Sequence, residues 1–233
     1  MNIVLLAKQA DQHEYCIRDP RQIQHLRQHL DVKIGDCLKV GIQDQERFDA
    51  RIIRIEIHEI WIERLSKQVI PAKIPVTLIV ALPRPKVLRR LIMDSVTLGV
   101  EKIVLMHSYR VDKSYWQSPF LEQLPHYVQL GLEQAGDVMA PEIILEKRFK
   151  PFVEDRLALW TQQHPTFVGH PYTDQSMPYA YNQPCQVVIG PEGGFIPYEI
   201  DLLKENGCQI YHLGNRILRT ETAIPVILSR LFI

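Results

Sequence analysis

From Val76 onward, short apolar runs alternate with amphipathic helical stretches, and that alternation leaves few folds open to the chain. "VTLIVAL" (76–82) is an almost unbroken apolar strand, as expected when both faces of a sheet are covered. "KVLRRLIMDSVTLGV" then reads as a helix, with Leu88, Leu91, Ile92, Val96 and Leu98 on its apolar side and Gly99 where it stops. The pattern continues as strand "KIVLM", helix "SPFLEQLPHYVQLGLEQAG" opening at Ser118-Pro119, strand "EIIL" and helix "PFVEDRLALWTQQ". Strands "TFVGH" and "CQVVIG", helix "IPYEIDLLKENG", strand "CQIYHLG" and a last helix over "TETAIPVILSRLFI" complete it. Such alternation is the signature of an α/β domain with a parallel sheet.

The first 66 residues read differently. "NIVLL", "HEYCIR", "DCLKVGI", "RFDARIIRIEI" and "HEIWIERL" are short β-type runs, interrupted by one helix over "RDPRQIQHLRQHL". Asp19 is its expected N-cap, Pro20 its first residue, and Ile23, Leu26 and Leu30 its buried face. Residues 66–75, "SKQVIPAKIP", lack periodicity and read as a linker. The expected organisation is a small β-rich domain over residues 1–70 and an α/β domain over 71–233.

Bulk properties remove several classes. The chain is 46% hydrophobic and 23% charged, which excludes disorder as the default. Its net charge of zero argues against attachment to nucleic acid by bulk charge alone. No run approaches the roughly 20 apolar residues of a membrane helix, and the N-terminus does not resemble a signal peptide. Cys16, Cys37, Cys185 and Cys208 form no Cys-x-x-Cys pair, so no zinc ribbon and no other metal site is expected. The expected setting is the reducing cytoplasm.

Two strands end in unusual turns. "VVIG" runs into Pro191-Glu192-Gly193-Gly194, and "YHLG" into "NRILRTETA" (215–223). Ligands of open α/β sheets bind beyond the carboxyl ends of strands, and glycine lets backbone approach a ligand closely. Neither G-x-x-x-x-G-K-[ST] nor G-x-G-x-x-G is present, and Glu192 suits a cationic cofactor or a ribose better than a phosphate. A plain tight turn before a helix accounts for Gly193 and Gly194 equally well. The second turn is more specific. Glu221 in a first helical turn follows from the helix dipole, but Arg216 and Arg219 just before an expected N-cap at Thr220 oppose it, at a cost of a few tenths of a kcal/mol. A locally unfavourable choice points to function. "RPKVLRR" places Arg84, Lys86, Arg89 and Arg90 within seven residues. That is either a phosphate-contacting patch or the solvated face of a helix.

"IGPEGGF" followed by "LGNRILRTETA" closely resembles the RsmE family, the ribosomal RNA uridine-N3 methyltransferases of the SPOUT superfamily. "VTLGVEKIVLM" and "LEQAGD" resemble two weaker family stretches, and the β-rich start with "HLRQHLDVKIGDCLKV" resembles the family's PUA-like RNA-binding domain. The resemblance implies a C-terminal SPOUT-type parallel-sheet domain knotted as a deep trefoil. It further implies bound S-adenosylmethionine, a homodimer whose active sites lie near the subunit interface, and ribosomal RNA of the small subunit as substrate. Under it, Gly169, His170, Ile189, Gly190, Pro191, Glu192, Gly193, Leu213, Gly214, Ile217 and Leu218 would hold the cofactor. Arg219 would stabilise charge on the uracil oxygens, Glu221 is a candidate base, and Arg84, Lys86, Arg89 and Arg90 would contact RNA. The apolar ending "IPVILSRLFI" suits a dimer interface. Thr97, Asp137 and Pro225 depart from the family pattern. The first two keep open another RNA target, including a ribose 2′-hydroxyl. A non-catalytic RNA-binding assembly factor is the remaining alternative.

Overall fold

The computed structural model describes residues 1–232, so the last position of the expected final helix, Ile233, lies outside the described residues. The chain divides into two compact units, Met1–Ala72 with Val128–Ala140, and Lys73–Tyr127 with Pro141–Ile233. This differs from a single cut near residue 70, because 128–140 belongs with the N-terminal residues. The reason is a buried carboxylate. Glu133 is 2% exposed. It receives both guanidinium nitrogens of Arg21 at 2.7 and 2.6 Å and the Gln22 amide at 2.9 Å, while its carbonyl accepts the Asn2 N–H at 2.8 Å. A charge buried this deeply requires its partners in place.

The first unit is a five-stranded sheet ordered β1 (Val4–Leu6), β3 (Cys37–Ile42), β4 (Glu46–Ile55), β5 (Ile60–Gln68), β2 (Glu14–Ile17). Only the β1–β3 pair is parallel. One face packs Tyr15, Ile17, Val40, Phe48, Ile52, Ile60 and Ile62 against Ile23 and Leu26 of α1 (Pro20–Gln28). Asp19 caps α1 as expected, accepting the N–H groups of Arg21 and Gln22 at 2.8 and 3.4 Å.

The second unit is a six-stranded, wholly parallel sheet. Its order is β11 (Cys208–Tyr211), β9 (Thr166–Gly169), β10 (Cys185–Ile189), β6 (Ile74–Ala81), β7 (Val100–Met106), β8 (Glu142–Glu146). Strand β10 is inserted between β9 and β6, two strands that precede it in the chain. Its five residues are all buried, in keeping with a strand covered on both faces. With β5 ending at Gln68 and β6 starting at Ile74, the expected ten-residue linker shrinks to residues 69–73.

The helices are α2 (Pro85–Thr97), α3 (Leu124–Ala135), α4 (Phe149–Pro151), α5 (Ala158–Thr161), α6 (Pro197–Glu205) and α7 (Thr220–Leu231), with a π-helical stretch at Phe152–Leu157. Two expectations are corrected here. Helix α3 begins at Leu124, not at Ser118-Pro119. Residues 118–122 form successive turns, and Pro125 is tolerated only in a first helical turn. Arg219, not Thr220, is the N-cap of α7, and Pro225 lies inside that helix without ending it. In the apolar ending, Ile224, Ile227, Leu228 and Leu231 are buried within this chain, while Val226 is 39% exposed.

Candidate functional site

Strands β9, β10 and β11 end at one level, because Gly169 is paired with Ile189 on one side and with Tyr211 on the other. The three loops that follow converge on a pocket of about 680 Å³. The two glycine turns meet there. Thr220 donates its hydroxyl hydrogen to the Gly190 carbonyl at 3.3 Å, joining the "GPEGG" turn to the start of α7. Three further hydrogen bonds fix the walls. Glu192 accepts the backbone N–H of Arg84 at 3.2 Å, tying its turn to the head of α2. The Arg110 guanidinium donates to the Gly193 carbonyl. His212 Nδ1 accepts the Gly214 N–H at 2.9 Å. Close approach explains Gly190, where a Cβ would sit 3.2 Å from the Phe195 ring, and Gly214 has φ +117°, which side chains rarely adopt.

All eleven residues expected to hold a cofactor line this pocket. Its size suits a single small-molecule ligand. Residues 71–232 match the protein family described as the RNA methyltransferase domain. The chain belongs to that family. It is 29% identical to a ribosomal RNA small subunit methyltransferase E of Treponema pallidum (strain Nichols), covering 96% of this chain and 87% of that one. A solved ribosomal RNA small subunit methyltransferase E from Neisseria gonorrhoeae, bound to S-adenosyl methionine, superposes with a TM-score of 0.79 at 22% identity, covering 98% of this chain and 95% of that one. A Legionella pneumophila protein solved in complex with the bound cofactor SAM gives 0.76 at 24% identity, covering 98% of this chain and 96% of that one. At such identities the two structures establish a shared fold.

In this RNA methyltransferase the charged groups are distributed unevenly. Glu192, Asp201, Arg110 and Arg216 line the pocket. Arg219 does not. Its side chain is 79% exposed and lies 3.5 Å from Glu221, whose own side chain is 14% exposed. The backbone carbonyl of Arg219 accepts from Thr222 and Ala223 at 2.9 and 2.8 Å, so its position follows from capping α7. Arg84, Lys86, Arg89 and Arg90 are exposed at the head of α2. His170 lines the pocket with its ring edge-on to Tyr172, centroids 5.4 Å apart. Burial first, and Lys204 second, hold its pKa below the usual histidine value, which favours the neutral ring.

Arg110, Tyr172, Phe195 and Asp201 are pocket residues that motif reading missed. Asp201 lies on α6, in a stretch read only as helix, and Phe195 closes the "IGPEGGF" phrase without an assigned place in the pocket. Arg110 lies in the irregular segment after β7, where no periodic signal exists. The two departures near the expected RNA-facing stretches have local explanations. Asp137 is buried and accepts the N–H groups of Val138 and Met139 at 2.7 and 3.0 Å. Thr97 donates its hydroxyl hydrogen to the Met93 carbonyl at 2.8 Å. Burial pushes the Cys185 and Cys208 thiols up to about 12, which makes them core hydrophobes rather than nucleophiles. Among the described residues no group of three His, Cys, Asp or Glu could hold a metal ion. No described helix is long and apolar enough to cross a membrane.

Proposed function

We propose that the protein transfers the methyl group of S-adenosylmethionine to N3 of a uracil in 16S ribosomal RNA. The observation that carries this reading is the pocket where three level strand ends meet and where Thr220 links the two glycine turns. Family membership and the names of the relatives support the reaction class and the substrate. The cofactor would lie against the backbone of 189–193 and 213–218, with Gly169 and His170 closing one side. Glu192 and Asp201 are suitable company for a sulfonium and an ammonium. Neutral His170 adds no repulsion.

Methyl transfer from a sulfonium is an in-line displacement, so the enzyme's main contribution is to hold donor and acceptor about 3 to 3.5 Å apart. The N3 proton leaves to a carboxylate or a water, Glu221 being the candidate carboxylate. Its loss spreads negative charge over uracil O2 and O4, and nearby cations lower the barrier. In this reading Arg219 meets the incoming nucleotide, with Glu221 beside it. Arg84, Lys86, Arg89 and Arg90 contact RNA phosphates, and the first unit acts as a PUA-like RNA-binding domain. The placement of β10 between β9 and β6 is consistent with a trefoil knot. So is the passage of residues 180–182 along the end of α7, where Ala180 and Asn182 donate to the carbonyls of Arg230 and Leu231 at 2.8 and 2.9 Å. The enzyme would work in the cytoplasm as a homodimer, a state inferred from the family resemblance alone.

The test is nucleoside mass spectrometry of small-subunit RNA treated with purified protein and labelled S-adenosylmethionine. The expected product is 3-methyluridine, which blocks the Watson–Crick edge and stops reverse transcriptase at one position. A 2′-O-methyl nucleoside would replace the target. Absence of any methylated nucleoside, with no cofactor bound, would overturn the reading.

A further inference from the structure

We infer that Arg110 is the acceptor-facing cation of this pocket, holding an anionic oxygen of the target nucleotide, and that Glu199 is the residue that positions it. The inference rests on the proposed methyl transfer and adds a group that no motif identifies. The juxtaposition that carries it is a guanidinium on the pocket wall, at the Gly193 carbonyl, one residue from a backbone N–H clamped by a buried carboxylate.

Glu199 is 1% exposed. Its Oε1 accepts the Tyr109 N–H at 2.8 Å and its Oε2 accepts the Ile196 N–H at 3.0 Å. No cation pairs with it among the described residues. A buried carboxylate held by backbone N–H groups alone, at the N-terminal turn of α6, is costly to build and rigid once built. One oxygen secures the first turn of α6. The other reaches 90 residues back along the sequence to secure the corner after β7. That corner carries Arg110.

Arg110 is the pocket cation that the structure holds in place. Its guanidinium donates to the carbonyl of Gly193, and its Cδ would be 3.1 Å from a Cβ on that residue. No carboxylate pairs with it among the described residues, so most of its donors remain free for a ligand. Arg216 also lines the pocket but has no hydrogen bond comparable to this one among the described residues. The sign of the charge narrows the ligand. The proposed cofactor carries a sulfonium and an ammonium, which a fixed guanidinium disfavours. Its carboxylate is the one cofactor group that Arg110 could hold instead, an outcome that a measurement of cofactor affinity separates. The acceptor brings phosphate oxygens and, once N3 loses its proton, negative O2 and O4. An arginine fork suits either oxygen.

The experiment is single-turnover methylation of unmodified small ribosomal subunits by the full-length protein, with cofactor affinity measured separately by calorimetry. Arg110→Ala should slow the reaction about a hundred- to a thousand-fold, typical for removing one donor to a developing anion, with cofactor affinity changed less than about three-fold. A loss confined to the maximal rate places Arg110 on the uracil oxygens. A loss confined to the RNA concentration dependence places it on a phosphate. Either outcome supports the inference. Arg110→Lys should recover part of the loss, and added guanidinium ion should partly rescue Arg110→Ala. Glu199→Gln should reproduce the defect in the normal background and add little in the Arg110→Ala background, because residues acting as a unit are not additive. The inference falls if Arg110→Ala keeps the full rate, or if its main defect is lost cofactor affinity. If the unaltered protein neither binds cofactor nor methylates RNA, the proposed function itself has failed.

Discussion

Two arginine-bearing corners flank the pocket, and they are built in opposite ways. The corner after β7 has little to distinguish it in the sequence. Yet Arg110 is pinned at both ends, by Glu199 through its neighbour Tyr109 and by Gly193 through its guanidinium. The corner before α7 contains the most distinctive phrase in the chain, "RILRTETA". Its Arg219 caps the helix through backbone and leaves its side chain in solvent beside Glu221. Motif strength and mechanical fixation thus point to different residues. Both side chains are exposed, but a donor already held by the protein stabilises a transition state without reorganising, whereas an arginine paired only with a neighbouring carboxylate contributes mostly to encounter and binding.

The largest expected effect is the contrast itself. If fixation decides, Arg110→Ala should cost about a hundred-fold or more in single-turnover rate, and Arg219→Ala far less. An equal loss in both variants would break the comparison and make the two corners one catalytic unit.

The next effect tests the floor on which both corners depend. Gly214 has φ +117° and sits between Leu213 and Arg216 on the pocket wall. Gly214→Val forces a β-branched residue into that conformation. Cofactor affinity should fall at least ten-fold, about 1.4 kcal/mol or more. Calorimetry showing unchanged affinity in a folded variant would remove the second glycine turn from the site.

These cases also show what the sequence could and could not disclose. The parallel sheet was legible because strands such as β10, covered on both faces, must be apolar throughout. The eleven pocket residues were legible through the family resemblance of "IGPEGGF" and "LGNRILRTETA", since glycine at a strand end alone fits a plain tight turn equally well. Arg110 was not, because its meaning depends on Glu199, 89 positions away, and no local pattern predicts a long-range clamp. Glu133 was hidden for the same reason, since its partner Arg21 is 112 residues distant. Helix α3 was extended too far forward because Ser118-Pro119 imitates a helix start. Pro125, the better signal, was passed over.

A smaller effect is expected at Arg219. The Arg219 side chain is 79% exposed beside Glu221 at 3.5 Å, and a charge so exposed contributes about 0 to 1 kcal/mol to a contact. Arg219→Ala should weaken RNA binding by about five-fold or less. The difference should shrink as salt is raised, because exposed charges are screened. A loss in maximal rate that is insensitive to salt would mean that the side chain swings into the pocket during turnover and is fixed there.

The smallest effect concerns the wall that carries no charge. His170 has a folded pKa below its unfolded value, with burial as the first cause and Lys204 as the second. Between those two values the unfolded chain binds more protons, so stability rises with pH across that window and is flat above it. The same sign applies to ligand binding. A neutral ring tolerates a sulfonium and a protonated ring repels it. Cofactor affinity should be constant from about pH 7 to 8 and weaken a few-fold as pH falls below the ordinary histidine range near 6.5. His170→Gln, which cannot take a proton, should keep its affinity at pH 7.5 and lose less of it at pH 5.5. Titrations at the two pH values on both proteins check this. Equal affinity of the unaltered protein at pH 5.5 and 7.5 would place the cofactor's positive charge away from His170.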